Sequence, residues 1–252
     1  MTAGAWTAFC GVRDRYREAL EQFNRDLRGL KNLQQQLVDS RSGPAYTVET
    51  ALVYNQALDE LDHKDEIRLI LVGDNPGRRE QAARRYLVGP SGKIAEGFFR
   101  RTAELGIDLR KNVLILNKTP IHTPRTVELK ELCRLGGAKL SGALTGTQRF
   151  MASLLLEFHR ALSPPKKARR PALPVWITGY SEMKEGGIFE TYTRTLGELY
   201  AGNPLGDSVF LYRHFSMNQF SIDLRQQTRE GESAGAALDR IGRSYRKRIL
   251  GW

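Results

Sequence analysis

Four short apolar runs constrain this chain more than any other feature: "IRLILVG" (67–73), "NVLILN" (112–117), "PVWITG" (174–179) and "SVFLYRHF" (208–215). Each is nearly continuous in Val, Ile, Leu and aromatic residues. A strand with one wet face alternates apolar and polar side chains, whereas one that is apolar almost throughout is buried on both faces. Stretches of helical spacing lie between the runs. Ile94, Phe98 and Leu105 mark one after Ser91; Met151, Leu154, Leu155, Phe158 and Leu162 mark another; Ile188, Tyr192, Leu196 and Tyr200 mark a third. Parallel neighbours need crossovers of that kind, so strand–helix alternation predicts a three-layer α/β/α sandwich around a four-stranded, mainly parallel sheet, over residues 67–252.

Residues 1–66 read as a helical extension packed on that core. Tyr16, Leu20, Phe23, Leu27, Leu30 and Leu37 recur at three- and four-residue steps and form one apolar face. The repeat is too short to argue for a dimerising coiled coil, and a monomer is expected. Gly43-Pro44 breaks the pattern, and residues 47–62 read as a second helix. Near the other end, "GRSYRKRIL" continues a basic helix that starts near Ser233.

In open parallel sheets, ligands bind at the carboxyl ends of the strands. The first run ends in Gly73-Asp74-Asn75-Pro76-Gly77, the second in Asn117, the third in Gly179-Tyr180-Ser181 and the fourth in Arg213-His214-Phe215-Ser216. A carboxylate, two carboxamides and an imidazole therefore share one edge. A carboxamide carries a donor and an acceptor together and can read a base edge, and an imidazole can stabilise a developing anion. Singly each is ordinary, because Asp-Asn-Pro-Gly is first of all a turn. His63 and His122 have no ligand partner at metal spacing, and His159, beside Phe158, reads as structural. "GPSGK" (89–93) lacks the spacing of a nucleotide-hydrolysing phosphate loop, and Ile94 stands where Ser or Thr belongs.

The formal charge of +11 points to a polyanionic partner, with nucleic acid first. "SPPKKARRPALP" (163–174) reads as an extended basic loop, either a solvated linker or an arm in which Lys166, Lys167, Arg169 and Arg170 contact phosphates. No apolar run approaches the roughly 18 residues of a membrane span, and no leader pattern opens the chain. Cys10 and Cys133 are the only cysteines, which suits a reducing, cytoplasmic setting.

In order, "VGDNPGRREQAARRYLVGPSGK", "VLILNKTP" and "LYRHFSMNQF" resemble the uracil-DNA glycosylase superfamily over residues 67–225. That family has a Gly-x-x-Pro-Gly water-activating motif after its first strand, an Asn at the end of the second and a His-Pro-Ser-type motif after the last. The resemblance implies hydrolysis of the N-glycosidic bond of a damaged base, uracil foremost, flipped out of DNA, with no metal or organic cofactor. Asn75 falls on a water-positioning Asn and Asp74 on a Glu of the iron–sulfur branch. Asn117 falls on the base-reading Asn, and His214 on the His that supports the departing base. Leu87, with Tyr86 beside it, stands where the family stacks an aromatic ring on the base. Pro76, Gly77, Ser91, Gly92 and Lys93 fall on backbone-contacting segments, as do Arg213, Phe215 and Ser216, and the loop through Phe220 matches the segment that enters the duplex. Phe215 replaces the Pro of the His-Pro-Ser motif, and two cysteines exclude a four-cysteine cluster. Two other readings use the same residues: a non-catalytic nucleic-acid-binding module, and an α/β hydrolase acting with Asp74 and His214 on a small nucleoside or nucleotide.

Overall fold

A computed structural model describes residues 1–164 and 171–252, so the four predicted phosphate contacts Lys166, Lys167, Arg169 and Arg170 lie outside the described residues. The apolar runs form β1 (Leu69–Gly73), β2 (Val113–Asn117), β3 (Val175–Thr178) and β4 (Val209–Tyr212). They pair in the order β2-β1-β3-β4, every pair parallel. Each strand residue is buried, as continuous apolar runs require.

Helices fill both faces: α1 (Ala3–Asp26), α2 (Leu30–Ser40), α3 (Arg78–Ala83), α4 (Pro90–Arg101), α5 (Glu128–Leu162), α6 (Glu190–Tyr200), α7 (Gln219–Gln227) and α8 (Ala234–Leu250). The strand order fixes their sides. From β1 to β2 the chain steps one way, and from β2 to β3 and on to β4 it steps the other. Right-handed crossovers then put α4 on one face and α5 and α6 on the opposite one. The aromatic packing agrees for the first face. Trp176 of β3 stacks on Phe99 of α4 at 5.6 Å and on Phe220 of α7 at 5.9 Å, and meets Tyr212 of β4 edge-on at 5.1 Å. The architecture is a three-layer α/β/α sandwich.

The N-terminal helices lie against α5. Phe9 packs on Phe158 at 5.4 Å and Tyr16 on Phe150 at 6.1 Å, within the same apolar cluster as the strands. The single apolar stripe of the sequence is divided into α1 and α2, with Gly29 at φ +96° in the bend. Residues 47–62 do not form the expected helix. Apart from a short 3₁₀ turn, Gln56–Leu58, they run as an irregular cover along β2. Strand β2 lies at the sheet edge, and an edge leaves backbone groups that need partners. The cover supplies them: Asn55 Nδ2 donates to the Ile115 carbonyl at 2.9 Å, Val53 N donates to the Pro120 carbonyl at 2.9 Å, and Leu52 bridges Ile121. Val48, Leu52, Val53 and Leu58 of this segment are buried, but along an edge rather than around a helix. Helix α8 begins after Ser233, whose hydroxyl accepts from Ala236 N at 3.3 Å. Among the described residues, no helix is long and apolar enough to cross a membrane.

Candidate active site

The direction of strand succession reverses between β1 and β3, and in open parallel sheets such a switch point, at the carboxyl ends, is where a ligand crevice forms. Asp74 follows β1 there and Gly179 follows β3. Gly179 has φ +81°, and a Cβ on it would sit 2.4 Å from Asp74 Oδ1, so glycine is needed both for the turn and for the approach of the carboxylate. Asn117 ends β2 directly beside Gly73, its partner in register. His214 follows β4. The four predicted strand ends therefore share one edge.

Asp74 does not stand alone. Lys118, fully buried, reaches it with Nζ 2.5 Å from Oδ1. The same amine donates to the Thr178 carbonyl at 2.5 Å and to the Gly73 carbonyl at 3.4 Å, and lies 5.0 Å over the Phe189 ring. Three N–H groups meet three acceptors, as an ammonium requires. Burial pulls the Lys118 pKa down, and Asp74 and Glu182 oppose that shift. Motif reading misses Lys118. The pairing of Gly73 with Asn117 could have found it, because the next residues in each strand, Asp74 and Lys118, must then be neighbours.

His214 is held with a defined tautomer. The backbone N–H of Ser216 donates to its Nδ1 at 3.0 Å, so Nδ1 carries a lone pair and the neutral ring presents its proton at Nε2. Burial lowers the His214 pKa; Asp74 pulls it up and Lys118 pushes it down, which places all three in one electrostatic neighbourhood. The ring is a neutral donor rather than a cation.

Asn117 is 3% exposed, and its Nδ2 has no hydrogen-bond partner among the described residues. A buried amide donor without a partner costs on the order of 1–3 kcal/mol, a cost that an acceptor on a bound ligand would relieve. Its Oδ1 fills the space that a Cβ on Gly73 would enter, at 2.6 Å, which fixes glycine there too. The backbones of β2 and β4 are three strand spacings apart, about 14 Å.

Asn75 serves the wall rather than the crevice. Its Nδ2 donates to Thr123 Oγ1 at 2.8 Å, and its Oδ1 accepts from Thr126 Oγ1 at 3.0 Å. The Asp74 Oδ2 has one distant partner, Thr126 Oγ1 at 3.4 Å. Of the two residues, Asp74 keeps more free acceptor capacity. Behind them His122 braces the turn: Nδ1 donates to the Pro76 carbonyl at 2.8 Å, while Nε2 meets Tyr46 Oη at 2.8 Å. Gly77 N donates to Glu80 Oε2 at 2.8 Å and begins α3.

These buried groups give the fold a pH dependence. Burial lowers His122 and His159 to about 4 and raises Glu80 to about 7. Below an unfolded histidine pKa near 6.5, the unfolded chain takes up protons that the folded chain refuses, so stability falls as pH drops from about 6.5 to 4. Glu80 works the other way, taking up its proton in the folded state first as pH drops from about 7 to 4.5. Each group contributes on the order of 3 kcal/mol, and two histidines outweigh one glutamate. Thermal melts should show Tm about 6–12 °C lower at pH 4.5 than at pH 7. A Tm that is flat or rising towards acid would contradict this balance.

Other expected site residues go elsewhere. Tyr86 is turned away from the crevice: its hydroxyl donates to the Val53 carbonyl at 2.6 Å and meets Tyr16 Oη at 2.7 Å, in the contact with α1. It is not a base platform. Phe215 is fully buried, stacked on Phe220 at 4.3 Å and 6.0 Å from Phe98, so its place is the aromatic core and not a DNA contact. Leu87 is 4% exposed, with φ +53°, and its carbonyl accepts from Arg110 Nη2 at 2.6 Å. Ser91, Gly92 and Lys93 form the first turn of α4, with Gly92 buried and Lys93 exposed. Pro76 is buried, Gly77 and Ser216 are half-buried, and Arg213 is exposed.

A cavity of about 320 Å³ along the outer side of β2 is lined by charges of both signs, among them Glu60, Lys64, Arg85 and Arg110, and by none of the strand-end residues. Among the described residues, no cluster of His, Cys, Asp or Glu is arranged to hold a metal ion. No protein-family model matches the chain, and no curated protein matches it.

Proposed function

We infer that the protein is a DNA glycosylase of the uracil-DNA glycosylase kind, which extrudes a damaged base into the crevice and hydrolyses its N-glycosidic bond. One observation carries the reading. Asn117 Nδ2, a buried donor with no partner among the described residues, and a neutral His214 whose Nδ1 accepts from Ser216 N, so that its proton is at Nε2, lie at strand ends on either side of a carboxylate at the switch point. Cleavage leaves negative charge on the departing base, and two such donors stabilise it. In this reading Asp74, oriented by Lys118, holds the water against the sugar carbon through its freer oxygen. The net charge of +11 suits a nucleic-acid substrate.

The test is purified protein on uracil-containing single- and double-stranded oligonucleotides, followed by a panel of other damaged bases. Abasic product supports the reading. Intact oligonucleotides throughout would leave a binding module.

The loop after His214 adds a second expectation. Met217 is 79% exposed, and Met217 and Asn218 both take left-handed backbone, at φ +50° and +57°. Asn takes that region readily, whereas it is unusual for Met217, whose apolar side chain stands exposed in the loop that follows His214. Inserted between bases, it would offset unstacking that costs a few kcal/mol. Met217→Ala should lower release from duplex DNA about tenfold and leave release from single strands nearly unchanged. Equal losses on both substrates would remove the wedge role.

A further inference from the structure

On the β4 side of the strand ends lies a second hollow of about 470 Å³, lined by Tyr180, Lys184, Glu185, Arg213, Arg248 and Ile249. Tyr180 follows Gly179 in the chain and Arg213 precedes His214, so each is one Cα step, about 3.8 Å, from a residue of the candidate site.

Two features set the hollow apart from an ordinary basic surface. Arg248 is fixed from behind without being neutralised. Its guanidinium lies 4.6 Å over the Tyr245 ring and 5.4 Å over the Tyr180 ring, and Nη2 donates to Tyr180 Oη at 3.1 Å. The two rings pack on each other at 4.6 Å. Arg248 enters no ion pair among the described residues, so most of its donor fork is unspent. Arg213 enters from the other wall. Its carboxylate neighbour, Asp223 at 3.3 Å, is already shared with Tyr245, whose hydroxyl donates to both Asp223 oxygens at 2.8 and 3.0 Å. Lys184 adds a third cation, and Glu185 is the one carboxylate in the lining. A planar guanidinium held by aromatic rings, with free donors and an excess of positive charge around it, matches a phosphate group.

We propose that this hollow is a phosphate subsite, in which Arg248, supported by Arg213 and Lys184, holds the phosphodiester flanking the extruded nucleotide. The proposal rests on the substrate being DNA, and not on cleavage. Gripping that phosphate beside the crevice fixes the backbone about which the nucleotide rotates.

The experiment measures binding of short single strands that carry one uncleavable abasic analogue, over a range of salt. Arg248→Ala should weaken binding about tenfold and flatten the log–log salt dependence by about 0.7, one phosphate contact on a single strand. Arg248→Lys should restore the slope but not the full affinity, because an ammonium lacks the fork. Arg243→Ala, on the same helix but paired with Asp239, should change the slope much less. Neutral methylphosphonate linkages, scanned along the strand, should cost the wild type affinity at one flanking position and cost Arg248→Ala nothing further there. Additive losses at every position, or equal salt slopes for wild type and Arg248→Ala, would overturn the subsite. If these effects are found while no base is released from any damaged strand, the glycosylase reading fails and the subsite stands. If bases are released while binding is indifferent to Arg248, the subsite fails and the glycosylase reading stands.

Discussion

Asp74→Asn should reduce base release by about 10²- to 10⁴-fold, the range expected when a positioned carboxylate acting on a water is lost. The substitution is nearly isosteric. Its oxygen can still accept from Lys118 Nζ, but the buried ammonium loses its counter-charge, so the melting temperature should fall while DNA binding changes little and the single-turnover rate collapses. Asn75→Ala should behave differently. It removes the bonds to Thr123 and Thr126, costing about 1 kcal/mol of stability per hydrogen bond, and should lower turnover by less. Single-turnover rates and thermal melts of both variants separate the roles. If Asn75→Ala proves the more damaging to rate, the water belongs to Asn75 and the carboxylate only shapes the crevice.

Lys118→Met should have the largest effect on stability. It leaves a mostly buried carboxylate and two carbonyls facing an apolar side chain. Breaking a buried ion pair from one side costs roughly 3–5 kcal/mol, and the residual exposure of Asp74 places this case at the lower end. A loss near 3 kcal/mol corresponds to a Tm lower by about 6–12 °C for a chain of this size. The double variant Lys118→Met/Asp74→Asn should recover much of that loss, because no unpaired charge remains, yet recover none of the activity. A double-mutant cycle read in Tm and in single-turnover rate checks both halves. Additive stability losses would mean that the two residues do not act as a pair.

These expectations rest on parts of the molecule that differ in how plainly the sequence displays them. The strands are legible because burial on both faces leaves no polar position; their order is not, since right-handed crossovers fix the sides of the helices only once the order is known. The edge cover at 47–62 is not legible, because apolar residues that plug an edge carry no period of their own. Motif order puts Tyr86 and Phe215 beside the expected site, and the structure buries both side chains elsewhere. What turns each side chain inward is a distant partner, Tyr16 for one and Phe220 for the other, which no local spacing reveals. Lys118 is hidden for the opposite reason. A lysine beside Thr-Pro at a strand end reads as a solvated loop residue, and only the register of β1 against β2 exposes its carboxylate partner.

The hydroxyl pair between Tyr16 and Tyr86 has a practical consequence for trimming the chain. Cutting at residue 66 would look reasonable from the strand pattern, since everything ahead of it resembles an appendage. It would also strip a wall from the segment that carries Leu87 and expose the aromatic side of α5 that Phe9 and Tyr16 cover. The leading helices are part of the same folding unit as the sheet. A shortened protein begun at residue 67 would be a poor specimen on which to judge whether the crevice can work.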